Sequence, residues 1–411
     1  MDHNDSDPFP RTGPIARFLE GIHPRAGETL KRHGFDVKES AAAPDQNELR
    51  RLVADASIVG LRSKTRLPAE VVRLADRLLA VGAFCIGTDQ IDLDACAYRG
   101  IAVFNAPYSN TRSVVEIVLA EIILLMRRAF ETSSALHQGL WLKTASGCHE
   151  VRGKKLGIVG YGNIGSQLSV LAEGLGLEVY YHDVVEKLSL GKARKCRSLQ
   201  DLLRRVDVVT LHVDGRAGNE GLIGAKQFAA MKDRVVFLNF SRGKVVDIRA
   251  LARAVRSGKV AGAGIDVYPE EPGGKGQPFV SELRGLPNVI LTPHIGGSTL
   301  EAQLSIGEFV AARLLDYVNT GSTIGSVNFP QISAPRLHRA HRLLHVHANV
   351  PGILAKINGI LAGHRINILG QYLKTTEQIG YVITDVNKKY NRSVIEELTH
   401  IPHTIRFRIL D

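Results

Sequence analysis

The run Leu156-Gly157-Ile158-Val159 leads into Gly160-Tyr161-Gly162-Asn163-Ile164-Gly165, and helical spacing follows through Asn163–Gly176. A lone GxGxxG says little. Here it closes an apolar strand and opens a helix, and Asp183 ends the next predicted strand, Glu178–Asp183, about 20 residues on. Gly160 allows the tight turn, Gly162 lets a pyrophosphate approach the backbone, and Gly165 lets helix and strand pack closely. The helix start offers N–H groups and a positive dipole end to phosphates. Asp183 is placed to accept from ribose hydroxyls and to repel a 2′-phosphate, so the expected cofactor is NAD rather than NADP. The competing reading is a tight turn with no ligand.

Working outward, a capping-box pattern at Ser198 and Asp201 precedes Leu202–Leu203. Asp207–Val213, Val235–Ser241, Ala261–Val267 and Asn288–Pro293 then read as buried strands. Such alternation predicts a parallel sheet with helices on both faces. Two long helices bracket it, Val114–Arg128 after a Ser113/Glu116 box and Ala302–Val318 after a Ser298/Glu301 box. Earlier strands at Ile15–Gly21, Ile58–Leu61, Leu78–Val81 and Val103–Asn105 predict a second α/β layer. The expected fold class is therefore α/β, with two Rossmann-like doubly wound domains, the nucleotide domain inserted in the substrate domain. Residues 15–110 and 299–330 would form the substrate-binding domain and 111–298 the NAD-binding domain.

Phe329–Arg342 is poor in apolar residues and carries Arg336, His338, Arg339, His341 and Arg342, so 331–341 reads as a linker. Residues 342–411 follow the order strand Leu343–Asn349, helix Pro351–Gly363, strands Asn367–Thr375 and Ile379–Val386, helix Ser393–His400, strand Thr404–Leu410. This βαββαβ order is ferredoxin-like. Pro351 suits a first helical position. Residues 1–14, rich in Asp, Asn, Pro and Gly, read as a disordered leader without the pattern of a secretory signal.

Of the 411 residues, 44% are hydrophobic, enough for real cores, and Lys plus Arg exceed Asp plus Glu by 52 to 41. The net charge of +11 invites a nucleic-acid partner. The basic residues are scattered without interleaved aromatics, which points instead to a surface suited to anionic substrates, so neither nucleic acid nor membrane is expected. The most apolar run, Val114–Met126, is too short to span a bilayer and is interrupted by Glu116 and Glu121. Cys85, Cys96, Cys148 and Cys196 form no CxxC pair, as expected of reduced thiols in a cytoplasmic protein.

Three segments near predicted strand ends carry the chemistry: Asn239-Phe240-Ser241-Arg242-Gly243, Asp266-Val267-Tyr268-Pro269-Glu270-Glu271-Pro272, and Thr292-Pro293-His294-Ile295-Gly296-Gly297-Ser298. Ligands bind at that edge of an open parallel sheet. A guanidinium grips a carboxylate with two parallel bonds. An imidazole takes a hydroxyl proton as hydride leaves the carbon, and a carboxylate fixes its tautomer. Singly, Arg242 could be a surface ion-pair partner, Glu271 a solvated loop residue and His294 a structural histidine; the ordered set is far more specific.

With these motifs the sequence resembles the D-isomer-specific 2-hydroxyacid dehydrogenases, and among them the bacterial D-3-phosphoglycerate dehydrogenases ending in an ACT domain, from about Gly21 onward. The resemblance implies Arg242, Glu271 and His294 as the catalytic set. It implies Gly160, Gly162, Asn163, Ile164, Gly165, Asp183, Phe240, Ser241, Arg242, Asp266, His294, Ile295, Gly296 and Gly297 as cofactor contacts. Substrate would meet Arg62, Ser63 and Lys64, which form a plausible anion cradle after a strand, with Asn110, Lys143 and Arg242. Asn110 and Gly296-Gly297 match hinges, and Trp141 with Lys143 a segment reaching a neighbouring subunit. The implied activity is oxidation of 3-phosphoglycerate to 3-phosphohydroxypyruvate, the first step of L-serine biosynthesis, in a cytoplasmic homotetramer. L-serine would bind as inhibitor at His347, Asn349 and Asn367, the last contributed across a domain pair.

His345 and His347 share a strand face, but no Cys or carboxylate stands near them in sequence, and no metal is expected. One departure is His338-Arg339-Ala340-His341, where the related chains carry a Gly-Gly pair before the C-terminal domain. Two alternatives stay open on the motifs: a reductase for another 2-oxo acid such as 2-oxoglutarate, and a non-enzymatic NAD-sensing regulator.

Overall fold

The computed structural model describes residues 13–272, 276–335, 340–387 and 390–410; the expected leader up to residue 12 and linker residues His338 and Arg339 lie outside them. The chain divides into two compact units, one combining residues up to Ser109 with those from Gln303 on, the other Asn110–Ala302.

The first unit opens with β1 (Ile15–Phe18), β2 (Asp36–Glu39), β3 (Ile58–Leu61), β4 (Ala80–Ala83) and β5 (Ala102–Phe104). They form a parallel sheet in the order β2-β1-β3-β4-β5. β3 and β4 are buried throughout, because both faces are covered. Phe18, Leu30 and Phe104 pack on one face, Leu49, Val71 and Cys96 on the other. β2 was not anticipated: in Asp-Val-Lys-Glu only Val37 is buried. This edge strand is charged rather than apolar.

The second unit carries β6 (Lys155–Val159), β7 (Glu178–His182), β8 (Arg194–Lys195), β9 (Val208–Leu211), β10 (Val235–Asn239), β11 (Val260–Ile265) and β12 (Val289–Leu291). Their order is β12-β11-β10-β9-β6-β7-β8, with parallel pairing. The order reverses between β6 and β9, and a ligand crevice opens at such a switch point. The strands stop one or two residues earlier than the sequence suggested, so their last predicted residues are loop residues at the carboxyl edge.

Of the three expected caps, Ser198 holds, with Asp201 N–H donating to its hydroxyl at 3.1 Å. Ser113 does not cap: the helix begins at Thr111 after Asn110, and the Ser113 hydroxyl sits 2.9 Å from that of Thr299. At Leu300–Thr320 the cap is Thr299 rather than Ser298, its hydroxyl accepting from Ala302 N–H at 3.1 Å. A neighbouring hydroxyl took the role in a Ser-Thr pair.

The chain ends, within the first unit, in β13 (His341–Ala348), β14 (Ile368–Thr375), β15 (Ile379–Val386) and β16 (Thr404–Leu410), with helices Ile353–Gly363 and Arg392–Thr399. The antiparallel order β14-β15-β13-β16 is that of a ferredoxin-like βαββαβ domain. Pro351 is not a first helical residue, because Gly352 intervenes as the cap with φ +88°. Leu343, Val382 and Val386 pack under the two helices, with Ile357 and Leu398. Leu344, Val346, Ile379, Tyr381 and Ile383 point the other way, into one core with Val310, Leu314, Tyr317 and Phe329. The basic stretch expected to be a linker is therefore partly interior. Phe329 and Ile332 are buried, and Arg342 is fully buried. The Arg342 guanidinium pairs with Asp385 at 2.6 and 2.7 Å and donates to the carbonyls of Thr320 and Pro335.

Candidate active site

Each predicted catalytic residue lies just past a strand of the second unit. His294 follows β12 in a left-handed conformation, φ +55°, which aims a strand-end turn rather than continuing it. Its Nδ1 is 2.8 Å from Glu271 Oε2, and Glu271 Oε1 accepts from Tyr268 N–H at 3.2 Å. Both side chains are partly exposed, 46% and 37%. The bond to Glu271 raises the His294 pKa above the usual histidine value, against the opposing effect of burial. Burial pushes Glu271 up, but the bond from His294 and its charge outweigh it, and the carboxyl ends below its ordinary value. The Arg242 charge acts on both. Gly243 makes that proximity possible: a Cβ there would lie 1.9 Å from the Tyr268 carbonyl carbon.

The loops are fixed from beneath by residues the sequence reading missed or undervalued. Buried Asn239 accepts from the N–H and hydroxyl of Ser241 through Oδ1 and donates to the Arg242 carbonyl. Asp266 is buried and holds the His294 loop at three points, accepting from the Thr292 hydroxyl, Ile295 N–H and Gly296 N–H at 2.6, 2.8 and 2.9 Å. Tyr268 donates its hydroxyl toward the carbonyls of Ile265 and Thr292, tying the ends of β11 and β12 together. Glu121, 3% exposed, leaves Oε2 without a partner, and burial with the nearby Asp266 charge pushes its pKa up to about 8. Gly264 leaves room for it, since a Cβ there would sit 2.1 Å from Oε2. The signal was a carboxylate inside an apolar helical run; Glu116, five residues earlier, is exposed and pairs with Arg112.

The dinucleotide motif closes as a cradle. Gly160 has φ +92°, and a Cβ on it would meet the His212 carbonyl at 2.6 Å; one on Gly165 would meet the Gly160 carbonyl at 2.3 Å. A Cβ on Gly162 would meet nothing within 4 Å, so it would fill open space beside the helix Asn163–Gly174, which no side chain caps. Asp183 Oδ2 accepts from Tyr161 N–H at 2.7 Å and Oδ1 from Val185 N–H at 2.9 Å, fixing the acid beside that space. Phe240 packs against Gly296, and Ile295 is 42% exposed. Asn110 and Gly297 meet, a Gly297 Cβ falling 2.1 Å from Asn110 Nδ2. The cradle of Gly160, Gly162 and Gly165 with the acid at Asp183 fits a dinucleotide. Lys143 and Trp141 are exposed in the segment after helix Ala129–His137.

In the first unit Arg62, Ser63 and Lys64 form the loop after β3, Arg62 half-buried and the others exposed. In the C-terminal domain His347 and Asn349 lie at one end of β13, where His347 faces Gly380. Asn367 precedes β14 at the opposite end, its N–H on Asn387 Oδ1. One chain thus does not gather the three. His345 and His347 do share a face, ring centroids 5.9 Å apart. Burial, then His347, lowers the His345 pKa to about 4. Among the described residues no group of three His, Cys, Asp or Glu could hold a metal, and no helix is long and apolar enough to cross a membrane.

Residues 119–296 match the model of the D-isomer specific 2-hydroxyacid dehydrogenase NAD binding domain, and residues 343–406 that of the AHAS small subunit-like ACT domain. The chain is 50% identical to D-3-phosphoglycerate dehydrogenase of Haemophilus influenzae over 393 residues, 95% of this chain and 96% of that one. It is 48% identical to the Escherichia coli D-3-phosphoglycerate dehydrogenase over 395 residues, with the same coverage. Among solved structures it resembles a D-lactate dehydrogenase from Aquifex aeolicus complexed with NAD and lactic acid, TM-score 0.68, 27% identity, covering 77% of this chain and all of that one. The cofactor is NAD and the chain is a dehydrogenase, which sets aside the non-enzymatic regulator. The chain belongs to the D-3-phosphoglycerate dehydrogenases, within the D-isomer-specific 2-hydroxyacid dehydrogenase family.

Proposed function

We propose that the chain oxidises 3-phosphoglycerate to 3-phosphohydroxypyruvate, opening L-serine biosynthesis, in the cytoplasm and as a homotetramer. The observation that carries the chemistry is the 2.8 Å His294–Glu271 pair under the influence of Arg242. NAD, when bound, supplies the hydride acceptor, held by the Gly160–Gly165 cradle and Asp183. Arg242 is assigned the substrate carboxylate, which a planar fork holds in one orientation. His294 Nε2, opposite the nitrogen that Glu271 holds, accepts the C2 hydroxyl proton. Glu271 fixes the tautomer and stabilises the imidazolium that forms. Asp266, by holding Ile295 and Gly296, keeps the imidazole in place. Arg62, Ser63 and Lys64 are assigned the phosphate.

The ACT domain supports L-serine as effector, with His347 and Asn349 of one chain and Asn367 of another completing a site. Their separation at opposite ends of one sheet supports that division.

A substrate panel read by NADH absorbance tests the assignment, with phosphohydroxypyruvate, 2-oxoglutarate, pyruvate and glyoxylate as oxidants. Phosphohydroxypyruvate should give the highest kcat/KM. A preference for 2-oxoglutarate would replace the proposal with the reductase alternative.

A further inference from the structure

Glu20 sits past the end of β1 in a left-handed conformation, φ +64°, and Gly21 follows at φ +62°. A left-handed glutamate is uncommon and persists where its surroundings fix it. The Glu20 side chain is almost fully buried, and its carboxylate accepts three backbone N–H groups: Arg62 at 3.1 Å and Thr65 at 2.8 Å on Oε1, Lys64 at 3.0 Å on Oε2. From the other side Gln90 Nε2 donates to the Arg62 carbonyl at 2.7 Å. The loop after β3 is thus curled around an internal carboxylate. Three converging N–H groups form a concavity that binds anions. In this chain the anion is already supplied by Glu20.

The main chain is therefore not available to an external phosphate at these three donors. What the loop offers outward is its side chains, and neither Arg62 nor Lys64 has an ion-pair partner among the described residues. We propose that Glu20 is the positioning residue of this loop, holding Arg62, Ser63 and Lys64 in the arrangement that selects a phosphorylated 2-hydroxy acid. The proposal rests on the assignment of those three side chains to the phosphate. Glu20 itself touches no substrate. A carboxylate, unlike an amide, presents only acceptors to the three donors. Gln at this position turns an N–H toward at least one of them, and the curl opens.

The experiment measures KM and kcat for phosphohydroxypyruvate, KM for NADH, and Tm, in the full chain. In Glu20→Gln the KM for phosphohydroxypyruvate should rise about 10-fold, because small displacements of a positioning contact are costly. Its kcat should stay within about 3-fold and KM for NADH should not move, since neither the triad nor the cradle is touched. Gln90→Met, which frees the Arg62 carbonyl and gives up the longer contacts to Gly87 and Cys85, should raise the same KM by about 3-fold and serves if Glu20→Gln does not fold. An unchanged KM in the folded variant overturns the proposal. So does a joint fall of kcat, NADH affinity and Tm, which marks a merely structural role. Arg62→Ala separates the two ideas: if its KM is unchanged, the phosphate assignment fails and this proposal with it. If Arg62→Ala is impaired while both positioning variants are not, the assignment stands and Glu20 alone is refuted.

Discussion

Replacing Glu271 by Gln removes the charge behind His294 while keeping the size of the side chain. A hydrogen bond to a charged group contributes about 1.5–3 kcal/mol. His294 and Glu271 are 46% and 37% exposed, and solvent screening places their bond at the lower end of that range. A loss of about 1.5 kcal/mol in the transition state is roughly tenfold in kcat. The direction with pH follows from the raised His294 pKa. Oxidation needs the neutral imidazole, so in the wild type the rate falls as pH drops through a value above that of an ordinary histidine. Without Glu271 that acid limb moves to lower pH, and the gap between variant and wild type narrows toward acid. Reduction needs the imidazolium, so its alkaline limb also moves down and the variant's deficit grows with pH. Profiles of kcat/KM against pH in both directions test this. An acid limb that stays put or moves up, or an undiminished kcat, would refute the role given to Glu271.

Asp183→Ala should raise the NADP-to-NAD ratio of kcat/KM by about 10-fold or more, through loss of charge-assisted bonds to a ribose. The ratio is the measure, because Asp183 also holds Tyr161 and Val185 N–H and its loss weakens both cofactors. Glu121, pushed up to about 8 by burial and Asp266, starts from an ordinary 4.5 in the unfolded chain. The folded state therefore holds a proton the unfolded chain has lost, and this group's contribution makes stability fall as pH rises from about 4.5 to about 8. Glu121→Gln should have the higher Tm at pH 9 and lose that advantage toward pH 4.5; equal Tm at pH 9 would count against a buried acid. Calorimetry with L-serine should show heat in the wild type and at least a tenfold weaker affinity in Asn349→Ala, in keeping with a lost hydrogen bond to a charged ligand. No heat with the wild type would remove the serine site.

The carboxyl edge of the second sheet was legible because glycines, the acid at 183 and three strand-end segments each state a local backbone requirement. The supporting side chains were not. Asn239 and Glu20 act through contacts 2 to 45 residues distant and Glu121 through Asp266, far along the chain, and nothing beside them in the sequence says which groups they meet. One helix start was misjudged where Ser298 and Thr299 stand side by side, since either hydroxyl can cap, and another where the helix begins two residues before Ser113, after Asn110. β2 and the basic run before β13 failed for one reason: charge was read as solvent. Arg342 is charged and wholly interior, and its neighbours in sequence give no hint of Asp385, 43 residues on and across the strand pair.

That arginine and the apolar face around it bear on modularity. A small βαββαβ sheet is easily pictured as a detachable sensor, to be clipped from one enzyme and fused to another. Here Leu344, Val346, Tyr381 and Ile383 close the same core as Leu314, Tyr317 and Phe329, and Arg342 with Tyr381 and Arg408 satisfies carbonyls at the end of the helix Leu300–Thr320. A chain cut after Pro335 would not be an unregulated enzyme; it would expose an apolar patch beside unpaired carbonyls, a surface prone to aggregation. A transplanted sheet would need a substitute helix to cover its inner face. Domain boundaries drawn from motif matches and boundaries at which the molecule can be divided are, in this protein, different lines.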